Sequence, residues 1–250
     1  MRPSMKILIV GATGSSGQRL AKAALERNHE VTVFVRNLQK LELIRSSWAH
    51  SENLKIIIGN VEEKEKLENA MVGKEAVINA AGTAADSNFS DLVKSITDST
   101  QKVLGDGARF WFFGGAAALD VPGTAIRAAE LPIIRSKFKC HLDNFSYVSK
   151  TNLDWSMLCP GPMNPAKNGS ARAEGLRITS EIWPVKPPKK TMLPQTLRVL
   201  STIKKRMPEM IISYEDAAKV ILDNLDRDGP FCCKRVGVAL PPGETDTKEY

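Results

Sequence analysis

Residues 5–17 read Met5-Lys6-Ile7-Leu8-Ile9-Val10-Gly11-Ala12-Thr13-Gly14-Ser15-Ser16-Gly17. Met5 to Val10 is an almost unbroken apolar run, as expected for a strand buried on both faces of a parallel sheet. A glycine-rich turn follows at once, and Gln18 to Asn28 then sets Leu20, Ala21, Ala24 and Leu25 at helical spacing. Strand, glycine turn and helix together form the opening of a dinucleotide-binding βαβ unit. In that reading Gly11 permits the tight turn, Gly14 lets the backbone approach a pyrophosphate, and Gly17 lets helix pack closely on sheet. The free amides near Ser15 and Ser16, with Thr13 in the same loop, face the phosphates from a helix N-terminus. The spacing is GxxGxxG rather than GxGxxG.

The pattern continues outward from this unit. Strands are predicted at Val31–Val35, Leu54–Ile58, Ala76–Ala80 and Arg109–Phe113, with helices over Leu38–Ser46, Glu62–Met71 and Asp91–Leu104 between them. Further on, His141–Thr151 reads as a helix, Trp155–Cys159 as a strand ending in Pro160-Gly161-Pro162, and Val236–Leu240 as a last strand. Ser213 and Asp216 form a capping box ahead of Ala217, Val220, Ile221 and Leu225. Alternation at this spacing predicts an α/β fold of the Rossmann type, a doubly wound parallel sheet with right-handed crossovers. We expect one domain over 1–250, with 164–210 a basic insert or lid on the substrate side, a small C-terminal substrate-side portion and a frayed tail from Pro241 to Tyr250.

Composition sets the outer limits. The chain has 250 residues, 42% hydrophobic and 25% charged, enough to bury a core and too apolar for wholesale disorder. No apolar run approaches the roughly 20 residues that cross a bilayer, and the N-terminus reads as structure rather than as a leader. Cys140, Cys159, Cys232 and Cys233 show no metal-ligand spacing and no disulfide framework, so a cytoplasmic setting and no metal are expected. The net charge is +7, and Asn164 to Met210 carries all of it, with ten Lys or Arg against three acids. A solvated flap explains this segment; an anionic substrate is the sharper reading. Lys186–Lys190 and Lys204-Lys205-Arg206 have only Trp183 nearby among aromatics, which argues against nucleic acid.

The end of the second strand bears on the cofactor. Dinucleotide sites that prefer NAD carry an acid there for the ribose 2′-hydroxyl. Here the chain reads Val33-Phe34-Val35-Arg36-Asn37. Arg36 can pair bidentately with a 2′-phosphate, with Lys40 close by, so NADP(H) is expected.

GATGSSG, VFVRN, GNVEE, NAAGT, FFGGAAAL, LDWSMLCPGPM and ISYEDAAKVILDNLD occur in an order that resembles the atypical short-chain dehydrogenase/reductase group. Within it, the likeness is to the NmrA-like proteins and the biliverdin reductase B, or flavin reductase, type. It runs from about Lys6 to Leu240, with the basic segment matching poorly. The resemblance implies that Asn60 and Val61 flank the adenine and that Ala80, Ala81 and Gly82 line the ribose and pyrophosphate. It also implies that Gly114, Gly115, Pro160, Gly161, Pro162 and Met163 lie near the nicotinamide.

The catalytic residues are unknown, because the wider group's proton relay is missing. That relay is a Tyr-x-x-x-Lys pair in which the Lys lowers the Tyr pKa. Tyr147 and Lys150 are one residue too close together, and counting back from Leu153 puts the usual positions near Lys137 and His141. Ala116, Ala117 and Ala118 stand where a catalytic Ser or Thr is usual. His141 can serve as a donor or as an ordinary surface histidine; His29 and His50 fall in loops outside the site. Cys159 reads as a buried strand cysteine, and no Gly-x-Ser-x-Gly elbow occurs. Two functions remain: an NADPH-dependent reductase of an easily reduced small molecule such as a flavin or quinone, or a non-catalytic NADP(H)-binding redox sensor. An epimerase or dehydratase would normally keep the Tyr/Lys pair.

Overall fold

The computed structural model describes residues 3–248 except 47, 125, 188–191 and 193. The chain begins with β1 (Lys6–Val10), α1 (Ser15–Glu26), β2 (Glu30–Val35), α2 (Leu38–Arg45), β3 (Leu54–Ile58) and α3 (Lys64–Met71). It continues through β4 (Ala76–Asn79), α4 (Phe89–Leu104), β5 (Arg109–Phe113), α5 (Pro132–Val148) and β6 (Asp154–Cys159). Then come β7 (Met163–Asn164), β8 (Arg177–Ser180), α6 (Gln195–Arg206), β9 (Ile212–Ser213), α7 (Tyr214–Leu222) and β10 (Lys234–Ala239).

The main sheet has eight strands in the order β3-β2-β1-β4-β5-β6-β10-β8. All neighbours are parallel except β10 and β8, which run antiparallel with Val236 opposite Ser180. This is the doubly wound Rossmann-like α/β fold. Order reverses between β1 and β4, and such a switch point opens a crevice at the carboxyl ends of the strands.

Alternation along each strand feeds two cores. Leu8, Val10, Phe110 and Phe112 face α3, α4 and α5, packing on Leu67, Val93, Ile96 and Val148. Ile7, Ile9 and Trp111 face the other way, onto Leu20, Ala24 and Leu25 of α1 and Val220 and Ile221 of α7. Helix α7 lies along α1, and Arg19 Nε meets Glu215 Oε1 at 3.1 Å across that contact. The capping box is present, with Ser213 Oγ accepting from the Asp216 amide at 2.9 Å.

At the amino ends of β5 and β6 a charge pair sits in the core. Arg109 is fully buried and donates to Asp154 Oδ1 at 2.9 Å and to the Asn224 carbonyl at 2.8 Å. The Asp228 amide takes the other Asp154 oxygen at 3.0 Å.

Three expectations need correction. Helix α5 begins at Pro132, not His141: Leu131 precedes it and Pro132 holds the first-turn position that suits its fixed φ. Ile133 is 78% exposed, so the apolar rhythm that would announce these turns is broken. Strand β8 was not anticipated, because an edge strand with alternate half-buried residues resembles a loop. The tail is not frayed as far as Lys248: Asn164 Nδ2 donates to the Thr247 carbonyl at 2.8 Å, and the Asp246 amide donates to the Pro208 carbonyl at 2.9 Å.

The basic segment 164–210 supplies β8 and α6. Trp183 is buried and donates from Nε1 to the Ala116 carbonyl at 2.6 Å, so the segment buttresses the exit of β5 from behind. Arg177 and Arg206 both meet Glu209, at 2.8 and 2.6 Å, and Arg172 reaches Glu244 at 2.8 Å. Lys167, Lys186, Lys204 and Lys205 are exposed. Pro188, Lys189 and Lys190 lie outside the described residues.

Candidate functional site

A cleft of about 1170 Å³ opens over the carboxyl ends of β1, β2, β4 and β5. Its floor is the glycine turn. Gly11 has φ +88°, and a Cβ there would lie 2.7 Å from the Ala81 backbone. Gly17 allows even less room, since a Cβ would lie 2.2 Å from the Gly11 carbonyl oxygen. The two glycines thus clamp β1, α1 and the β4 exit together, which brings Ala80, Ala81 and Gly82 to the same wall as Thr13, Gly14 and Ser15.

Helix α1 starts at Ser15 with no side-chain cap. The first-turn amides of any helix lack intrahelical acceptors, and Ser15 and Ser16 line the cleft. An uncapped helix N-terminus on a floor without side chains suits a pyrophosphate, so the residues present fit a dinucleotide. Arg36 and Lys40 line the same cleft and are exposed, and Arg36 has no hydrogen-bond or ion-pair partner among the described residues. Asn60 and Val61 follow β3 onto the adjacent wall.

Thirteen of the expected cofactor residues therefore line one cleft: Gly11, Thr13, Gly14, Ser15, Ser16, Arg36, Asn60, Val61, Ala80, Ala81, Gly82, Gly114 and Met163. Gly17 and Pro160 do not line the cleft. Gly17 is buried beneath the turn, and the Pro160 carbonyl accepts from the Ala116 amide at 2.7 Å, tying the exits of β5 and β6 together. No described residue of 165–210 lines it either.

Several lining residues were not anticipated. Asp91, Lys94, Ser95 and Asp98 come from one face of α4, which reads in sequence as a solvated face. Tyr214 and Lys248 join them from distant parts of the chain; Lys248 Nζ donates to the Met163 carbonyl at 2.5 Å and to Asn164 Oδ1 at 3.2 Å.

The polar side chains near the far end explain why no acid–base pair was legible. Tyr147 is absent from the cleft wall, and its hydroxyl donates to Asp98 Oδ1 at 2.6 Å. That bond to a carboxylate, aided by partial burial, pushes the phenol up to about 12, so it stays protonated. Ala116 and Ala118 at the β5 exit are buried and offer no hydroxyl. Burial pushes the Cys159 thiol up to about 12, and Cys159 does not line the cleft. His141 does line it, and its burial holds the imidazole down at about 4, so it is neutral at pH 7.

Asp154, Asp228 and Cys232 gather three possible metal-ligand atoms outside the cleft. Asp154 has both oxygens engaged, and burial first, then Asp154, pushes the Cys232 thiol up to about 12. Of the three only Asp154 is buried; Cys232 is half-buried and Asp228 exposed, at the edge of the Arg109–Asp154 pair. No helix among the described residues is long and apolar enough to cross a membrane.

The family of NAD(P)H-binding proteins matches residues 11–181. The photosystem II assembly factor Ycf39 of Synechocystis is 25% identical over 164 residues, 62% of this chain and 44% of that protein. A phenylcoumaran benzylic ether reductase of Pinus taeda is 29% identical over 99 residues, 37% of this chain and 32% of that one. The match thus spans less than half the length of these curated relatives. Among solved structures, a candidate NADH-flavin reductase of Streptococcus pneumoniae superimposes with a TM-score of 0.67 at 22% identity, covering 95% of this chain and 100% of that one. The anaerobilin reductase of Escherichia coli O157:H7 gives a TM-score of 0.64 at 14% identity, covering 98% and 99%.

Proposed function

The chain belongs to the NAD(P)H-binding family, and we propose that it is an NADPH-dependent reductase of an easily reduced small molecule such as a flavin or a quinone. The observation that carries this reading is Arg36, without a partner among the described residues, lining the same cleft as the uncapped start of α1. The amides of Ser15 and Ser16 would hold the pyrophosphate, and Arg36 with Lys40 would hold a 2′-phosphate. Asn60 and Val61 would border the adenine, and Gly82, Gly114 and Met163 the far half of the dinucleotide. The bound nicotinamide supplies a hydride. The chain's own contribution is to hold two flat molecules in register and to exclude water. An acceptor that is easily reduced needs no phenol–ammonium relay, and Tyr147 does not line the cleft. The acceptor is a small molecule, and the cations an anionic one would meet are Lys94 and Lys248. The same reading places the protein in the cytoplasm as a single domain, with 164–210 acting on the substrate side only through the Trp183–Ala116 contact, since no described residue of 165–210 lines the cleft. It also keeps the likeness to the NmrA-like and biliverdin reductase B proteins.

The test is calorimetric titration with NADPH and NADH, followed by NADPH oxidation against FMN, a naphthoquinone and a linear tetrapyrrole. Preference for NADPH with turnover of one acceptor class is expected. Equal affinity for both cofactors would overturn the assignment of Arg36. Tight NADPH binding with no turnover of any acceptor would favour the second reading, a non-catalytic NADP(H) sensor, which the absence of a relay at the β5 exit also supports.

A further inference from the structure

We propose that His141 is the hydrogen-bond donor of the cleft, presenting Nε2–H to an acceptor oxygen of a bound molecule, a carbonyl or hydroxyl oxygen rather than a charged phosphate. The inference rests on the reading of the cleft as a ligand site and adds to it the residue that orients what lies beyond the phosphate cradle.

Four observations converge. His141 lines the cleft yet is only 6% exposed. Its ring is fixed by two aromatic neighbours, edge-on to Phe89 at 5.9 Å and stacked on Phe138 at 6.1 Å. Its Nδ1 is buried and has no hydrogen-bond partner. The opposite edge of the ring lies over the β5 exit, where a Cβ on Gly115 would come 2.8 Å from Nε2.

The tautomer follows from the cost of each arrangement. An imidazole carries one proton, and a sealed N–H without an acceptor costs more than a sealed lone pair without a donor. The proton therefore belongs on Nε2, because Nδ1 is the sealed, unpartnered atom of a ring that lines the cleft. Burial alone keeps the ring neutral, so it offers one directional donor without the charge that an anion would seek. No described residue is hydrogen-bonded to Nε2, so the donor is left unused among them. Gly115, lacking a side chain, leaves room for the imidazole edge beside Gly114, which borders the cleft. A donor held rigidly in apolar surroundings and left unused by its own chain is arranged for a visitor. The oxygen can come from the dinucleotide's distal ribose or carboxamide, or from the acceptor's carbonyl.

The test uses the full chain. The imidazole ¹⁵N spectrum of the wild type should show His141 as the Nε2–H tautomer, set apart from His29 and His50 by the His141→Gln spectrum. That resonance should move when NADP⁺, a naphthoquinone or FMN is added. His141→Leu, which removes the donor and keeps bulk, should weaken binding of one of these ligands at least tenfold. His141→Gln, which keeps a neutral donor, should restore it to within threefold. A loss confined to NADP⁺ assigns the oxygen to the dinucleotide, and a loss confined to the quinone or flavin assigns it to the acceptor; both support the proposal. An Nδ1–H tautomer, or a resonance and affinities indifferent to all three ligands, would overturn it. If His141→Leu fails to fold, the wild-type spectrum and His141→Gln carry the test. A protein that turns over no acceptor but whose His141 resonance responds to NADP⁺ would lose the reductase reading and keep this one.

Discussion

The two ends of the sheet treat polar groups in opposite ways. At the amino ends of β5 and β6, Arg109 is buried with Asp154 and the Asn224 carbonyl within 3 Å, and Asp154 has both oxygens engaged. At the carboxyl ends, the start of α1 is uncapped, Arg36 lacks a partner among the described residues, and His141 Nδ1 is buried alone. Folding pairs the charges of the first set, although Arg109 Nε is buried without a hydrogen-bond partner among the described residues, and leaves the second set open. A charged group that the chain pairs by itself supports structure; one that it leaves open beside a cleft supports binding.

The largest effect should come from the closed end. Asp154→Ala strands a buried guanidinium, and breaking such a pair costs about 3–5 kcal/mol. Urea unfolding should show that loss, while NADPH affinity under native conditions stays within threefold. A loss below 1 kcal/mol would erase the contrast between the two ends.

Acid should reveal the open end next. His141 is held at about 4 against the ordinary histidine value of 6.5, so the unfolded chain takes up a proton that the native chain refuses. Its contribution is complete above pH 6.5 and is lost as pH falls toward 4, worth roughly 2–3 kcal/mol by pH 4.5. Burial also lowers His29, which adds to the same slope. Unfolding curves of wild type and His141→Gln at pH 7.5 and 4.5 separate the two. Identical pH dependence would mean that His141 protonates freely in the native state.

Arg36→Ala should then weaken NADPH binding tenfold to a hundredfold, about 1.5–3 kcal/mol, with NADH binding and thermal stability unchanged. A drop in melting temperature would move Arg36 to the structural side of the comparison. The smallest effect belongs to Tyr147→Phe. Its hydroxyl is spent on Asp98, so turnover and cofactor affinity should stay within about threefold, whereas a true general acid contributes about a hundredfold or more. A collapse of turnover with NADPH binding intact would restore Tyr147 as the proton donor.

The sequence made the sheet legible because strands buried on both faces must be almost entirely apolar, as Ile7–Val10 is and as Val31–Val35 is apart from Thr32. It made the phosphate floor legible because only glycine survives the approaches at Gly11 and Gly17. The far end of the cleft was less readable, for a physical reason. Asp91, Lys94, Ser95 and Asp98 recur at helical spacing as any solvated face does, and only the packing of α4 against the rest shows that they border a cavity. Lys248 reaches the cleft because the tail folds back on Asn164, a contact with no local signal. Strand β8 alternates between half-buried and exposed positions, but its one apolar residue, Ile178, is on the exposed side, so no hydrophobic alternation announces it.

The contact between α1 and α7 sets an order of events during synthesis. Helix α1 follows the phosphate-facing turn and leaves the ribosome well before α7. Its outer flank is covered mainly by α7, whose Glu215 meets Arg19. At about 5–20 residues per second, the nascent motif waits roughly 10 to 40 seconds for that cover. During this interval Leu20, Ala24 and Leu25 depend on the incomplete sheet alone. A nascent chain stalled before Tyr214 should therefore be a ready client for chaperones, even though every glycine of its cradle is already in place.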